Sequence, residues 1–247
     1  MGDGAAGDPV AVASVRADVG RWPPGWVHRD VVEVNGPELP VHEGEDTSWF
    51  HENGWVHAAD TRVQLVLEGN QDGSVRILGM RPIKDCSEPL DGTLFREPSA
   101  GQDDSVLLGF DLDEPDPRPR ELDMASLTLG EDYFDSRTVS LDRGEEQTFE
   151  ISGLTGEHYC EFTLELTVLD ARNETVTQVI SDDGEPFRVT ALTSGDPFEV
   201  EHPYADYGAL YFGGVGAGYC ESGGGDLAWK RADPQDWTID ERNCLPG

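Results

Sequence analysis

Three aspartates lie close together in the segment DLDEPDPRPRELD, which begins where a strand is predicted to end. Asp111, Asp113 and Asp116 fall within six residues, around a proline turn. Hard cations take several oxygen ligands, so a loop that converged these carboxylates would supply half of a calcium shell. The spacing departs from the EF-hand pattern, which has a glycine at its sixth position and a glutamate at its twelfth. A solvated loop, with Arg118 and Arg120 as partners of the acids, is the simpler interpretation.

A second candidate site is the tyrosine-bearing segment HPYADYGALYFGGVGAGYC. It places Tyr204, Tyr207, Tyr211 and Tyr219 among small residues. Tyrosine gives amphipathic contact area at low cost in conformational entropy, so tyrosines on a glycine-bearing loop suit contact with a protein or carbohydrate ligand. The alternative is that these rings cover the edge of the sheet structure.

Sequence motifs of catalysis are missing from the chain. G-x-S-x-G, S-x-x-K and H-E-x-x-H do not occur, and the six histidines do not have zinc-site spacing. Glycoside hydrolysis by a pair of carboxylates remains an alternative only because 50 acidic residues offer many pairs. We therefore expect a protein that is not an enzyme and that needs no cofactor, with calcium as the one candidate.

The chain is strongly acidic. Its 247 residues include 50 acidic and 17 basic side chains, which gives a formal charge of −33. This charge disfavours binding to nucleic acid or to an anionic membrane surface, because both are repelled at range. No run approaches the roughly 18 apolar residues of a membrane helix, and the first residues do not resemble a signal peptide. We expect any export signal or membrane anchor to precede Met1.

The four cysteines favour an oxidising compartment. None forms a C-x-x-C pair or a zinc-like cluster, and an even number of widely spaced cysteines suits two disulfides. Cys86 and Cys160 lie at strands that can be neighbours, whereas Cys220 and Cys244 bracket a tail with little apolar content. Closing that tail would contribute about 3 kcal/mol in the chain-entropy model. Four free thiols in a cytosolic protein are the alternative.

The elements that would position these residues are mainly strands. Alternating β-branched residues predict eight of them, and scarce helix signals predict an antiparallel β-sandwich. GNQDG indicates a hairpin-like turn between the first two strands. Short helices are predicted in DTSWFHENGW, with a cap at Asp46 or Thr47, and in RELDMASLTLG. The predicted strands cover residues 61–68, 74–83, 105–112, 137–141, 147–152, 157–168, 174–180 and 187–192.

Three segments follow from this pattern. Residues 1–20 are small and polar, and we expect them to form a flexible lead-in. We expect residues 21–192 to form the β-sandwich domain. We expect residues 193–247 to form a Gly- and Tyr-rich appendage that is crosslinked by a Cys220–Cys244 disulfide. This appendage has too few aliphatic residues for a core of its own, so we expect it to pack on the same domain.

Four blocks of the sequence resemble a group of actinobacterial proteins of unknown function, in which such a domain follows an export signal or membrane-spanning segment. They are VLEGNQDGSVRILGMRPIKDCSEPLDGTLF, LGFDLDEPDP, DYFDSRTVSLDRGEEQTFEISGLTGEHYCEFTLELTVL and EPFRVTA, within residues 45–192. The resemblance implies extracytoplasmic placement and a Cys86–Cys160 pairing, and it implies no activity.

Together these features predict a non-catalytic binding or structural module of a bacterial cell-surface or secreted protein. Its expected partners are proteins or carbohydrates at the cell surface. A calcium-dependent ligand-binding domain, a carboxylate-based hydrolase and an intracellular DNA mimic are the alternatives. The last has only the charge of −33 in its favour.

Overall fold

The structure is a computed structural model that describes residues 7–17, 25–34, 48–96, 107–123, 128–193, 200–213 and 229–237. These residues form one short helix, α1 (Ser48–Glu52), and strands that account for most of the rest. No helix among them is long and apolar enough to cross a membrane. The strands are β1 (Val10–Ala17), β2 (Gly25–His28), β3 (Val56–Ala58), β4 (Asp60–Gly69), β5 (Val75–Ser87), β6 (Thr93–Arg96), β7 (Leu107–Asp111), β8 (Arg120–Asp123), β9 (Thr128–Asp132), β10 (Val139–Leu141), β11 (Glu146–Leu154), β12 (Tyr159–Leu169), β13 (Thr175–Ile180), β14 (Phe187–Thr190), β15 (Ala209–Phe212) and β16 (Lys230–Ala232).

The strands form two sheets. A six-stranded sheet has the order β1-β4-β11-β7-β8-β9. A ten-stranded sheet has the order β10-β5-β12-β14-β3-β2-β6-β15-β16, and β13 also pairs with β12. Most neighbours are antiparallel, but β7 with β11, β3 with β14 and β6 with β15 are parallel. The all-β, sandwich-like fold is confirmed, and both of its sheets are mixed.

One apolar core lies between the two sheets. Alternate residues of β4 and β12 point into it, as the period of two along a strand requires. Burying an aliphatic side chain contributes about 1.5–3 kcal/mol, so this layer is the main source of stability. Residues from both sheets in the core include Val63, Leu65, Leu67, Ile151, Ile77, Phe162, Leu164, Leu166 and Val189.

The part of the ten-stranded sheet formed by β2, β3, β6 and β15 is buried on both faces. Val27 and Leu94 lie in an apolar cluster on one face. Trp26 and Phe95 lie in an aromatic cluster on the other face. Helix α1 covers the aromatic cluster, where the Trp26 ring stacks on Phe50 with centroids 4.6 Å apart. Strands buried on both faces lack polar alternation, which is why the sequence pattern did not predict these four.

All eight predicted strands are present, as β4, β5, β7 and β10 to β14. The short helix predicted in DTSWFHENGW is also confirmed as α1. It ends where the Gly54 N–H bonds the carbonyl of His51, and Gly54 has a φ of 80°, the left-handed conformation that glycine adopts readily. The proposed caps, Asp46 and Thr47, lie outside the described residues.

The helix predicted in RELDMASLTLG is wrong for the parts that the structure describes. Residues Arg120–Asp123 and Thr128–Asp132 are the antiparallel strands β8 and β9, with Leu122 opposite Leu129. The local helix preference is overridden because β8 pairs with β7 and extends the six-stranded sheet.

The hairpin predicted at GNQDG is also wrong. Strand β4 belongs to the six-stranded sheet and β5 to the ten-stranded sheet, so the turn carries the chain across the sandwich. Backbone bonds from Gly69 N to Glu145 O and from Gly144 N to Gly69 O tie the end of β4 to the turn before β11. Turn-forming residues therefore marked a reversal correctly but did not specify which strands pair.

Both ends of the chain contribute strands to the sheets. The flexible lead-in predicted for residues 1–20 is wrong for β1, where Val10 and Val12 are buried against the core and the strand pairs with β4. Near the C-terminus, β15 adds parallel to β6, and Tyr204 and Trp237 join an apolar cluster that includes Val27. Residues 193–247 thus share their core with earlier strands in the part that the structure describes.

Cys86 and Cys160 form a disulfide, as the resemblance implies. They sit directly opposite each other on β5 and β12, two neighbouring strands of the ten-stranded sheet. Cys220 and Cys244 lie outside the described residues, so their pairing stays a prediction.

Candidate functional site

A dense arrangement of polar side chains lies just after β7, in the loop that leads to β8 of the same sheet. The carboxylate of Asp113 accepts three hydrogen bonds or contacts there. The Thr155 hydroxyl donates to it at 2.8 Å, the Gly156 N–H donates at 2.7 Å, and Nδ1 of His158 lies 2.8 Å from it. These three partners belong to the connection between β11 and β12, so Asp113 joins two crossing segments.

The loop that carries Asp113 is held from the opposite sheet. The ammonium group of Lys84, on β5, donates to the carbonyl oxygens of Leu112 at 2.5 Å and of Glu114 at 2.7 Å. The Glu114 side chain in turn accepts a hydrogen bond from Arg120. The backbone and side chains of the loop are therefore fixed from both sheets.

The pKa of Asp113 reflects these contacts. Burial alone raises the pKa of this carboxyl, because the charged form loses water. Hydrogen bonds from His158, from the Gly156 backbone and from Thr155 favour the charged form more strongly and lower its pKa below the usual value. Asp113 is therefore an ionised structural acceptor at neutral pH.

A cleft of about 550 Å³ opens beside this loop. Its lining combines carboxylates, a guanidinium group, hydroxyls and two leucines, so it offers fixed donors and acceptors next to apolar surface. Ala59 also lines it, at the point where the chain passes from β3 of one sheet to β4 of the other, and has a φ of 63°. The lining residues are Ala59, Asp111, Asp113, Arg120, Thr128, Leu129, Leu154, Thr155 and Gly156.

A buried acid lies next to Ala59. Asp60 is 5% exposed and accepts hydrogen bonds from the Ser152 hydroxyl and from Arg62. Burial raises the pKa of Asp60, and the hydrogen bonds and the charge of Arg62 oppose that increase without cancelling it. This second polar group anchors the first residue of β4 to β11 across the sheet.

The structure does not bring the three predicted metal-site aspartates together. The carboxylate of Asp113 makes the internal contacts described above. Asp111 accepts a hydrogen bond from the Asp113 N–H at 3.0 Å, and Asp116 pairs with Arg118 at 3.4 Å on the surface. Within the described residues, no group of three or more histidine, cysteine, aspartate or glutamate side chains is placed to hold a metal ion. The pairing of this loop with Arg118 and Arg120 agrees with the simpler sequence interpretation.

Three of the four predicted tyrosines are buried. Tyr204, Tyr207 and Tyr211 are 0%, 3% and 3% exposed, and they pack in the apolar and aromatic clusters of the ten-stranded sheet. Their hydroxyls reach internal partners; for example, that of Tyr204 accepts from Nε of Arg96 at 2.9 Å. This burial contradicts the expectation of a tyrosine surface for ligand contact, and burial of Tyr207 raises its pKa. Tyr219 lies outside the described residues.

The pair of His158 and Asp113 has one property of a general base, because a carboxylate orients the imidazole through Nδ1. The nearby Thr155 hydroxyl, however, donates to the same carboxylate and accepts from the His158 N–H at 3.0 Å. The Thr155 hydroxyl therefore belongs to the turn. It does not form a catalytic nucleophile–histidine–acid arrangement, in which the hydroxyl bonds the imidazole ring.

Sequence reasoning missed Lys84, Thr155 and His158 as members of this site. The segment Thr155-Gly156-Glu157-His158 carries a weak local signal, since a threonine that accepts from the N–H three residues later is a typical turn. The contacts of Lys84 with Leu112 and Glu114 span 28 and 30 residues and have no local signal.

The fold and the site together define an all-β protein of two packed, mixed sheets with a disulfide between neighbouring strands and a polar cleft at one end. Comparisons with protein-family models, with curated proteins and with solved structures found no match to this chain.

Proposed function

We propose that this protein is a non-catalytic binding module of a secreted or surface-anchored bacterial protein, and that the cleft beside Asp111 is its ligand site. The observation that carries the proposal is the rigid construction of the cleft. Lys84 fixes the loop backbone, and Asp113 is fixed by three partners. A lining that is ordered before binding costs little conformational entropy when a ligand enters.

The lining favours a neutral, hydroxylated ligand, and a carbohydrate is the class that fits best. Asp111 offers a carboxylate acceptor, Arg120 offers guanidinium donors, and Leu129 and Leu154 supply apolar surface. Sugar hydroxyls both donate and accept hydrogen bonds, and the carbon face of a sugar ring is apolar. A neutral ligand also avoids the repulsion that a charge of −33 imposes on any polyanion.

The contacts of Asp113 support binding without catalysis. Its carboxylate is used by internal hydrogen bonds, and the hydrogen bonds that lower its pKa disfavour the protonated form that a general acid requires. An acid of a glycoside hydrolase has the opposite property, a raised pKa.

Extracytoplasmic placement is supported by the Cys86–Cys160 disulfide, because such bonds persist in oxidising compartments and are rare in the cytosol. The resemblance of residues 45–192 to proteins in which such a domain follows an export signal or membrane-spanning segment implies the same setting and stays a prediction.

The proposal is tested by a glycan array followed by calorimetric titration of the oligosaccharides that bind. Asp111→Asn keeps the oxygen that accepts from the Asp113 N–H and removes the charge, so it should weaken binding about tenfold or more. Asp206→Asn makes the same charge change at an exposed position away from the cleft and should leave binding unchanged. Absence of glycan binding at millimolar concentration, or equal effects of the two variants, would contradict the proposal.

A further inference from the structure

Strand β13 is an exposed edge of the ten-stranded sheet. It pairs with β12 on one side, and no other described strand bonds the backbone groups of its second edge. The side chains of Thr175, Thr177 and Val179 point outward and are exposed, with Val179 at 53%. An edge of this kind can accept another strand through main-chain hydrogen bonds.

The other described edges carry features that oppose such pairing. Strand β1 has an irregularity between Val12 and Ser14, and the side chain of Gln178 bonds the backbone N–H and carbonyl of Val10. Strand β9 ends in Glu131-Asp132 and β16 begins with Lys230-Arg231, while β10 has only three residues. Irregularities, charges and short length are the usual protections of an edge strand.

Strand β13 has none of these protections. Its sequence, TVTQVI, contains no charged residue, proline or glycine, and its register with β12 is continuous over six pairs. Charged residues make up 27% of the chain, so an uncharged, β-branched edge is a departure from the rest of the surface. This departure indicates an edge that is kept available for pairing.

We propose that β13 pairs antiparallel with β13 of a second copy of this chain, about a two-fold axis at Thr177. In this register the outer face of the sheet in one copy continues into the outer face in the other copy. This follows because directly opposed residues of an antiparallel pair have their side chains on the same side of the sheet. It sets Thr177 opposite Thr177 and Thr175 opposite Val179, which are favourable cross-strand pairs. The proposal goes beyond the proposed ligand function and does not depend on it.

One opposite-charge pair at each end of the interface favours a second copy. The same register places the turn that carries Arg172 of one copy next to Asp182 of the other, twice by symmetry. The outer face beside β13 is balanced, since three arginines stand with three acids, as in the 2.7 Å pair of Arg81 with Glu165. The same two turns also carry Glu174 and Asp183, so acids of the two copies approach each other there as well, and salt must screen them together with the net charge of −33. The six residues are Arg76, Arg81, Arg188, Asp85, Glu161 and Glu165.

Sedimentation and light scattering of the full chain from about 1 µM to about 1 mM test the proposal. We expect a monomer–dimer equilibrium that tightens as NaCl rises to about 0.5 M, because salt screens the net charge and leaves the main-chain bonds intact. Thr177→Lys should abolish the dimer, since it sets two like charges face to face at the axis. Val179→Lys should weaken the dimer at least tenfold, since it replaces the Thr175–Val179 pair by a charge of the kind that protects an edge strand.

Ser140→Lys is the matched control, because it adds the same charge to an exposed residue of β10, at a distant edge of the same sheet. It should leave the dimer intact. Circular dichroism would show that all three variants fold, and either β13 variant suffices if the other does not. A monomer at every concentration and salt, a dimer that the β13 variants do not weaken, or β13 pairing only with an added foreign peptide would overturn the proposal.

Discussion

Asp113 shows how one side chain can hold two sheets together. It lies just after a strand of the six-stranded sheet and binds Thr155, Gly156 and His158 on the way to the ten-stranded sheet. Removal of a partly buried acceptor leaves its donors without partners, and that desolvation is the main cost of such a change.

Asp113→Ala should lower the free energy of unfolding by about 1–3 kcal/mol at neutral pH. Because the folded-state pKa of Asp113 is lowered, its contribution is complete above the ordinary carboxyl pKa and is lost as pH falls through the folded-state value. Urea unfolding of both proteins between neutral and acid pH should therefore give curves that converge at low pH.

Asp116→Ala is the control for that measurement. Asp116 lies in the same loop but is 68% exposed and pairs with Arg118 at the surface, so the change should stay within about 0.5 kcal/mol at every pH. Equal losses for the two variants would show that the contacts of Asp113 do not stabilise the fold.

At the scale of the elements, the crossings between sheets depend on close backbone contacts. Gly69 ends β4 at such a crossing, and a Cβ added there would lie 2.3 Å from the carbonyl oxygen of Asp142. Neither backbone segment can shift freely, because Gly69 bonds both Glu145 and Gly144.

Gly69→Ala should therefore destabilise the protein by about 2–4 kcal/mol, since it forces two hydrogen-bonded backbones apart. Gly79→Ala, within β5, meets only Thr167 at an ordinary 3.9 Å and should be neutral or stabilising by up to about 1 kcal/mol. Thermal unfolding of the pair measures both. A Gly69 variant as stable as the Gly79 variant would show that the turn before β11 relaxes.

The disulfide acts on elements as well, because it joins β5 to β12 across 74 residues of sequence. Cys86→Ser with Cys160→Ser should lower the free energy of unfolding by about 2–4 kcal/mol, mainly because the unfolded chain gains entropy. Denaturant titration of the oxidised protein and the double variant gives the difference. No loss of stability would mean that the unfolded chain retains structure around this loop.

At the scale of the whole molecule, the net charge determines how stability depends on salt. The described residues contain many arginine–carboxylate pairs, but most are exposed, as in the pair of Arg143 and Asp72, and exposed pairs contribute little. With 17 basic residues against 50 acids, most carboxylates repel one another without compensation.

Added NaCl should therefore raise the melting temperature at low ionic strength, because mobile ions screen the repulsion within about 10 Å at 0.1 M. The measurement is a series of thermal scans at dilute protein and increasing salt, with equal ionic strength of a calcium salt alongside. A flat or falling curve would show that the acids are neutralised locally. A further increase specific to calcium would favour the calcium-dependent alternative.

The amino-acid sequence by itself determined the strands that have one face in the core and the other towards solvent. Their alternation is a local property of the chain, so β4 and β12 were predicted close to their observed bounds, whereas β5 continues four residues beyond its predicted end to Ser87. The sequence likewise carried the acidic loop and its arginine partners, because these residues are neighbours along the chain.

Only the tertiary structure decided the pairing of the strands and the roles of the site residues. Lys84, Asp113 and His158 are far apart in sequence, and GNQDG reverses the chain equally well for a hairpin or for a crossing between sheets. The tyrosines were misassigned for the same reason. The glycine-rich composition around them predicted a loop, whereas β15 pairs parallel with β6 and Tyr211 is buried. Contacts between distant segments are set by which surfaces bury each other, and that choice is made by the whole fold.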